Sequence, residues 1–288
     1  GSRSVAVYAQ DDAQALHVYQ ADEALALDAT GPAAYLDIAR IIALARQAGC
    51  DALHPGYGFL SERADFAQAC LEAGLAFIGP TVAQLALFGD KARARSLAQE
   101  CGVPLMPGSA GAVTLAQAQA FFATQSGTAK RAGVMIKAIG GGGGRGMRAV
   151  LQASELPEAY ARRVSEATAF GVDGVYVERV MPRARHIEIQ LIGNGTQVVS
   201  LGDRECSLQR RFQKLVEIAP SPSLPEALRS SITQAALRLA QAANYRSLGT
   251  FEFLVDEDAG DLPFVFVEAN PRLQVEHPVT EEVTGLDL

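Results

Sequence analysis

Over the first eighty positions, short apolar runs alternate with amphipathic stretches. Residues 4–9 (SVAVYA) read as a buried strand and residues 24–28 as a second. Residues 33–48 carry apolar positions at helical spacing and stop at Gly49, and residues 51–54 form a strand running into the loop HPGYGFLSE at 54–62. A helix over 62–73 closes at Gly74, and a strand over 76–78 halts at Gly79-Pro80. Strand–helix alternation with short links predicts a doubly wound α/β unit over about residues 1–80. The unit opens on a strand with no turn and helix before it, so it is expected to be partial.

The pattern then changes. Helices are predicted over 90–100 and 115–122, with 81–107 as a helical connector. A strand at 134–139, a glycine run, a strand at 147–151, a helix at 156–170 and a strand at 175–179 make a small lobe over 108–180. From Arg185 onward strands dominate: HIEIQLIG, TQVVSLGD and SLQRRFQKLVEIAP. A helix near 225–243 and a hairpin over 249–270 complete a last lobe over 181–288, whose end at 285–288 reads as a cut. There is no internal repeat.

Composition narrows the function classes. The chain has 288 residues, 49% of them apolar, which is enough for a sizeable core. No apolar run reaches the roughly 18 residues that a membrane span needs, and no leader pattern is visible, so a cytoplasmic protein without membrane contact is expected. A net charge of −7 and the absence of Trp argue against nucleic acid as a partner. Cys50, Cys70, Cys101 and Cys206 lie far apart and form no CxxC pair, so they read as small hydrophobes. Of only four lysines, Lys91, Lys137 and Lys214 fall in motifs, while Lys130 reads as a solvated loop residue.

Three stretches carry chemistry. In VMIKAIGGGGGRGMRAV (134–150) Lys137 lies on a strand before five glycines. Backbone N–H groups of such a run can close on phosphate oxygens. A dinucleotide fingerprint would open a helix, and a P-loop would end in Gly-Lys-Ser/Thr, whereas Gly146-Met147-Arg148 stands here. A glycine loop between antiparallel strands fits better; the bland competitor is a surface hairpin.

The second stretch is the hairpin at 249–272. Pairing symmetric about Gly260 sets Glu252 opposite Glu268, with Asn270 on the same face. Two opposed carboxylates call for a cation, and Mg2+ with phosphates supplies one; a polar outer face is the alternative. Third comes RLQVEHP (272–278). If extended, Arg272, Gln274 and Glu276 share a side, where the first two can hold a small oxyanion and Glu276 can act as a base. Gln209, Arg211 and Lys214 form a further donor-rich strand.

HPGYGFLSE, FIGP (77–80), GDK (89–91), GGGGRGMR (141–148), RHIEIQ (185–190), CSLQRRFQK (206–214) and EANPRLQVEHPVTE (268–281) together resemble the biotin carboxylase component of biotin-dependent carboxylases. The resemblance runs through nearly the whole chain. It implies an ATP-grasp fold with an N-terminal α/β domain and a glycine-loop lid over ATP. It implies that Lys91, Lys137 and the loop glycines Gly141, Gly142, Gly143 and Gly144 meet phosphates. Glu178 and Met181 would bound the adenine, and His186 and Gln209 the ribose. Glu252 and Glu268, with Asn270 beside them, would hold Mg2+ or Mn2+. Lys214, Arg272, Gln274 and the Val275 backbone would hold bicarbonate, with Glu276 as its base. The implied acceptor is biotin on a carrier domain, and the implied partner is a carboxyltransferase component, with an acyl-CoA carboxylase as the favoured parent. Relatives of this kind often form dimers. Phe212 departs from the His that some relatives carry near the ribose. The family's first strand and its last arginine-bearing segment are not found in this sequence. The competing readings are a bicarbonate-activating carbamoyl-phosphate synthase half and a non-catalytic nucleotide-binding fragment.

Overall fold

A computed structural model of the chain describes residues 1–109, 111–126, 133–138, 147–169, 174–210, 213–258 and 262–288. Gly141 to Gly144, Lys130, Arg211, Phe212 and the hairpin tip at Gly260 lie outside the described residues.

The N-terminal part contains β1 (Val5–Tyr8), α1 (Leu16–Gln20), β2 (Glu23–Ala26), α2 (Ile38–Gln47), β3 (Ala52–Leu53), α3 (Ala64–Glu72) and β4 (Ala76–Phe77). β1 pairs with β2 and β3 with β4, both in parallel, as a doubly wound unit requires. Among the described residues they form two separate two-stranded sheets. Leu27, Ile41, Leu44, Phe66 and Cys70 make one apolar cluster between them. The helix expected over 33–48 is interrupted: Pro32–Leu36 is a 3-10 turn, and the chain restarts at Asp37. The Asp37 carboxylate accepts from the Arg40 amide at 2.9 Å, which satisfies an otherwise unpaired N–H at the new helix start.

Two more helices follow, α4 (Val82–Gly89) and α5 (Lys91–Glu100). α4 opens the stretch expected as a helical connector, and Thr81 and Gln84 form a capping box at its start. Asp90 caps α5 by accepting from the amides of Ala92 and Arg93. Beyond it come α6 (Leu115–Ser126), β5 (Val134–Ala138), β6 (Met147–Val150), α7 (Leu156–Ala169) and β7 (Val175–Arg179). The three strands form an antiparallel sheet in the order β6-β5-β7. Val134, Ile136, Val150, Leu156 and Val177 build a second, separate core there.

The largest unit is a five-stranded antiparallel sheet in the order β10-β9-β8-β11-β12. Its strands are β8 (Ala184–Asn194), β9 (Val198–Arg210), β10 (Gln213–Ile218), β11 (Arg246–Asp256) and β12 (Phe264–Asn270). α8 (Glu226–Ala242) is buried against it, and α9 (His277–Thr284) follows β12. The segment SLQRRFQKLVEIAP, expected as one strand, instead spans two, β9 and β10, and register places Lys214 beside Gln209. Ile187, Ile189, Phe251 and Phe253 face α8 and form the main core with Phe88 and Tyr245. Phe88, Tyr245 and Phe251 meet edge to face, with ring centroids 5.2–5.9 Å apart. Strand alternation turns His186, Glu188, Gln190, Thr250 and Glu252 to the opposite face.

Glu252 does lie opposite Glu268, as the hairpin symmetry predicts. The pairing then slips, with Phe253 opposite Phe266. Val267 is therefore an extra residue in β12. The bulge reverses side-chain parity, so Phe264 and Phe266 enter the core while Glu268 and Asn270 emerge on the Glu252 face.

Candidate active site

A cleft of about 1090 Å³ opens on that polar face, bounded also by β5, β7 and the loop at Tyr57. Its floor is built around Lys214. The ammonium donates to Glu188 Oε2 at 2.6 Å, Glu252 Oε1 at 2.8 Å and Glu276 Oε1 at 3.4 Å. Burial opposes its charge, but Glu252 and Glu188 outweigh that and hold its pKa above the ordinary lysine value.

Glu252 is buried and accepts from Lys214, from Asn270 Nδ2 at 2.7 Å and from Gln274 Nε2 at 3.4 Å. His186 Nε2 lies 2.7 Å from its other oxygen, while Gln209 Nε2 donates to His186 Nδ1 at 2.9 Å. Because Gln209 occupies Nδ1 as a donor, the His186 proton sits on Nε2 and points at Glu252. Burial would raise the Glu252 pKa, yet the His186 hydrogen bond and Lys214 hold it below the usual carboxylate range. Glu268 goes the other way: burial and the negative Glu252 raise its pKa, against a weaker pull from Lys91 at 3.8 Å. The two facing carboxylates are hard oxygen donors of the kind Mg2+ takes. The Asn270 amide oxygen already accepts from Arg272 Nη2 at 3.1 Å, so Asn270 serves this pair first through its NH2 group.

The anion segment is not extended. After Gln274 the chain turns, and Glu276 takes the N-cap position of α9 with φ −81° and ψ 1°. Arg272, Gln274 and Glu276 nevertheless all border the cleft, brought there by the turn rather than by strand alternation. Arg272 Nε donates to Glu62 Oε1 at 2.5 Å, a contact spanning 210 residues of sequence. Gln274 is buried and Val275 exposed. His277 holds the turn through Nδ1, 2.8 Å from the Gln274 carbonyl.

Toward β5 and β7, Glu178 is buried between two cations. Lys137 Nζ meets one oxygen at 2.5 Å and Arg95 Nη1 the other at 3.1 Å. Met181 forms part of the cleft wall, and Lys91 reaches it from the start of α5. Arg95, Glu188, Arg204, Glu62 and Glu217 were not singled out from sequence. Glu188 was readable, since alternation in HIEIQ sets it beside His186. The others depend on partners far away in the chain.

Glu188, Cys206 and Glu217 also bring ligand-type atoms within 4.8 Å of one another. Both Glu188 oxygens are already taken, by Arg204 and Lys214, so this group reads as part of the ion-pair floor. The Cys206 thiol is pushed up by burial and stays protonated.

Comparison with known proteins accounts for this architecture. Residues 1–85 match the biotin carboxylase N-terminal domain, and residues 90–288 match the ATP-binding domain of the carbamoyl-phosphate synthase L chain. Pyruvate carboxylase 1 of Caenorhabditis elegans is 50% identical over 99% of this chain, which spans 24% of that protein. The biotin carboxylase of Nostoc sp. is 48% identical over 100% of this chain, which spans 64% of it. Among solved structures, the biotin carboxylase domain of Hydrogenobacter thermophilus 2-oxoglutarate carboxylase, in complex with MgADP, ADP and bicarbonate, is 41% identical. It superposes with a TM-score of 0.87 over 98% of this chain and 61% of that one. The chain thus belongs to the biotin carboxylase family of biotin-dependent carboxylases, built on the ATP-grasp fold.

Proposed function

We propose that this chain carries the ATP- and bicarbonate-activating site of a biotin carboxylase. The observation that carries the reading is Lys214, held by Glu188, Glu252 and Glu276 beside the opposed pair Glu252 and Glu268. In this reading residues 1–80 are the N-terminal domain, 81–107 a connector, 108–180 the lid lobe and 181–288 the catalytic lobe. Glu252 and Glu268 hold Mg2+, which when bound would neutralise charge on the phosphates. Lys91, Lys137 and the glycines 141–144 meet the phosphates, Glu178 and Met181 the adenine, and His186 and Gln209 the ribose side.

Lys214, Arg272, Gln274 and the Val275 backbone bind bicarbonate, and Glu276 takes its proton. A bicarbonate oxygen then attacks the γ-phosphorus as the bond to ADP breaks, giving carboxyphosphate. Carboxyphosphate breaks down to CO2 and phosphate, the phosphate takes the proton from a ring nitrogen of biotin on a carrier domain, and that nitrogen then bonds the CO2. The protein's part is to position and to balance charge. A carboxyltransferase partner passes the carboxyl group on. The pyruvate carboxylase and biotin carboxylase relatives match about equally well, so they do not favour an acyl-CoA as final acceptor.

The match of residues 1–85 to the biotin carboxylase N-terminal domain favours biotin over the carbamoyl-phosphate reading. The test is ADP release from Mg-ATP with bicarbonate and free biotin each added or withheld. Turnover that needs bicarbonate and rises with biotin is expected, and Lys214→Gln should lower it about 100-fold or more while Mg-ADP still protects the fold. Turnover indifferent to bicarbonate would sink the proposal.

A further inference from the structure

Beneath the cleft floor lies Arg204, the largest wholly buried side chain among the described residues. Burying a guanidinium is costly unless each N–H finds an acceptor. Here they do. Nε donates to Glu188 Oε1 at 2.6 Å, and Nη2 lies 2.5 Å from the same oxygen. Nη1 donates to Gln190 Oε1 at 2.8 Å and to Thr280 Oγ1 at 2.7 Å. Nη2 donates to Gln274 Oε1 at 2.8 Å and to Thr250 Oγ1 at 3.4 Å. One side chain from β9 therefore ties together β8, β11, the turn after β12 and α9.

Two consequences reach the cleft. A guanidinium has donors only, so the Gln274 amide must present its oxygen to Arg204. Its NH2 group is then turned away, toward Glu252 and the cleft. The amide is locked as a donor, the polarity an oxyanion requires. On the other side, Arg204 saturates Glu188 Oε1 and leaves Oε2 for Lys214.

We infer that Arg204 is a positioning residue for the bicarbonate half of the site: it orients Gln274 as a donor and, through Glu188, fixes where Lys214 stands. The inference rests on the proposed function. Arg204 touches no substrate; it acts through groups that would. Its loss weakens anion binding while the nucleotide half, built on Lys91, Lys137 and Glu178, keeps its geometry.

The experiment measures bicarbonate-dependent ADP release by the unmodified chain, Arg204→Lys, Thr280→Val and Gln274→Ala, and by the double variant of Arg204→Lys with Gln274→Ala. For Arg204→Lys, KM for bicarbonate should rise about tenfold or more, as when a supporting residue behind a ligand is lost. KM for ATP should stay within about twofold, a split that general loosening would not produce. The double variant should fall short of the product of its two parents' effects, because Arg204 acts in part through Gln274. Should Arg204→Lys fail to fold, Thr280→Val removes a single acceptor of the guanidinium and is expected to raise KM for bicarbonate about two- to threefold. Equal rises in both KM values, multiplying effects in the double variant, or an unchanged KM for bicarbonate in the folded variants would overturn the inference alone. Absence of bicarbonate dependence in the unmodified chain would overturn the proposed function, and this inference with it.

Discussion

Glu217 illustrates how single residues are tuned by what surrounds them. Its two carboxyl oxygens are buried against the Cys206 thiol and accept no hydrogen bond of ordinary geometry. Burial, reinforced by Glu188, pushes its pKa up to about 7, against a weaker opposing pull from Lys214. In the unfolded chain the group titrates near its ordinary value of 4.5. Between these two values the native state binds more protons than the unfolded state, so this residue makes stability fall as pH rises. Below the lower value both states are protonated and the effect vanishes. Glu217→Gln, a neutral near-isostere, should therefore raise Tm more at pH 8 than at pH 5. A Tm difference independent of pH across that window would show that the carboxyl is solvated. The same reasoning explains why Glu252 and Glu268, opposite one another, shift in opposite directions: one has His186 and Lys214, the other mainly Lys91.

At the scale of elements, two local devices aim the site. The Val267 bulge lets one strand supply Phe264 and Phe266 to the core and Glu268 and Asn270 to the cleft. The second device is the close packing of the segment after α5 against β7. There Gly108 bridges to Glu178, and a Cβ at position 108 would lie 2.7 Å from Glu178 Cγ and 2.9 Å from the Val177 carbonyl. Neither neighbour can yield freely, because Glu178 is held by Lys137 and Arg95. Gly108→Ala is expected to cost about 1–3 kcal/mol of stability, the usual range for overpacking. It should also weaken protection by Mg-ADP, since Glu178 must shift. Urea denaturation with and without Mg-ADP measures both, and a variant as stable as the parent would refute the packing argument.

Across the whole molecule, separate apolar clusters serve the N-terminal part, the three-stranded sheet and the five-stranded sheet. Polar contacts join them at the cleft. Arg272 to Glu62 ties the HPGYGFLSE loop to the anion segment, and Arg95 to Glu178 ties α5 to β7. The Glu62 carboxylate is two-fifths exposed, so the Arg272 pair is screened and worth up to about 1 kcal/mol, or roughly fivefold in an equilibrium. Glu62→Ala should therefore raise KM for bicarbonate by no more than about fivefold with KM for ATP unchanged. An equal effect on both, or none on either, would mean that the link does not steady Arg272.

Much of this was legible in the chain. Strand alternation alone placed Glu252 against Glu268, because a hairpin's register follows from its tip and both residues lie within twenty positions of it. The helix after Asp90, the sheet around Lys137 and the strand-rich last lobe followed from apolar period and caps. The break at Asp37 had a local signal, a capping Asp, that the longer apolar pattern over 33–48 overrode. What stayed hidden depended on contacts distant in sequence. The fully buried Arg204 looks like any charged residue on a strand until Gln190, Thr250, Gln274 and Thr280 close around it. The turn at Val275 and Glu276 reads as extended chain until α9 packs beside β9. Local periodicity depends on neighbours a few residues apart, so the sequence by itself determined most of the elements, the pairing of the last hairpin and the residue types of the site. Burial and charge compensation depend on the whole folded chain, so only the tertiary structure decided which charges are paired, which carboxyl pKa values rise or fall and which way Gln274 faces.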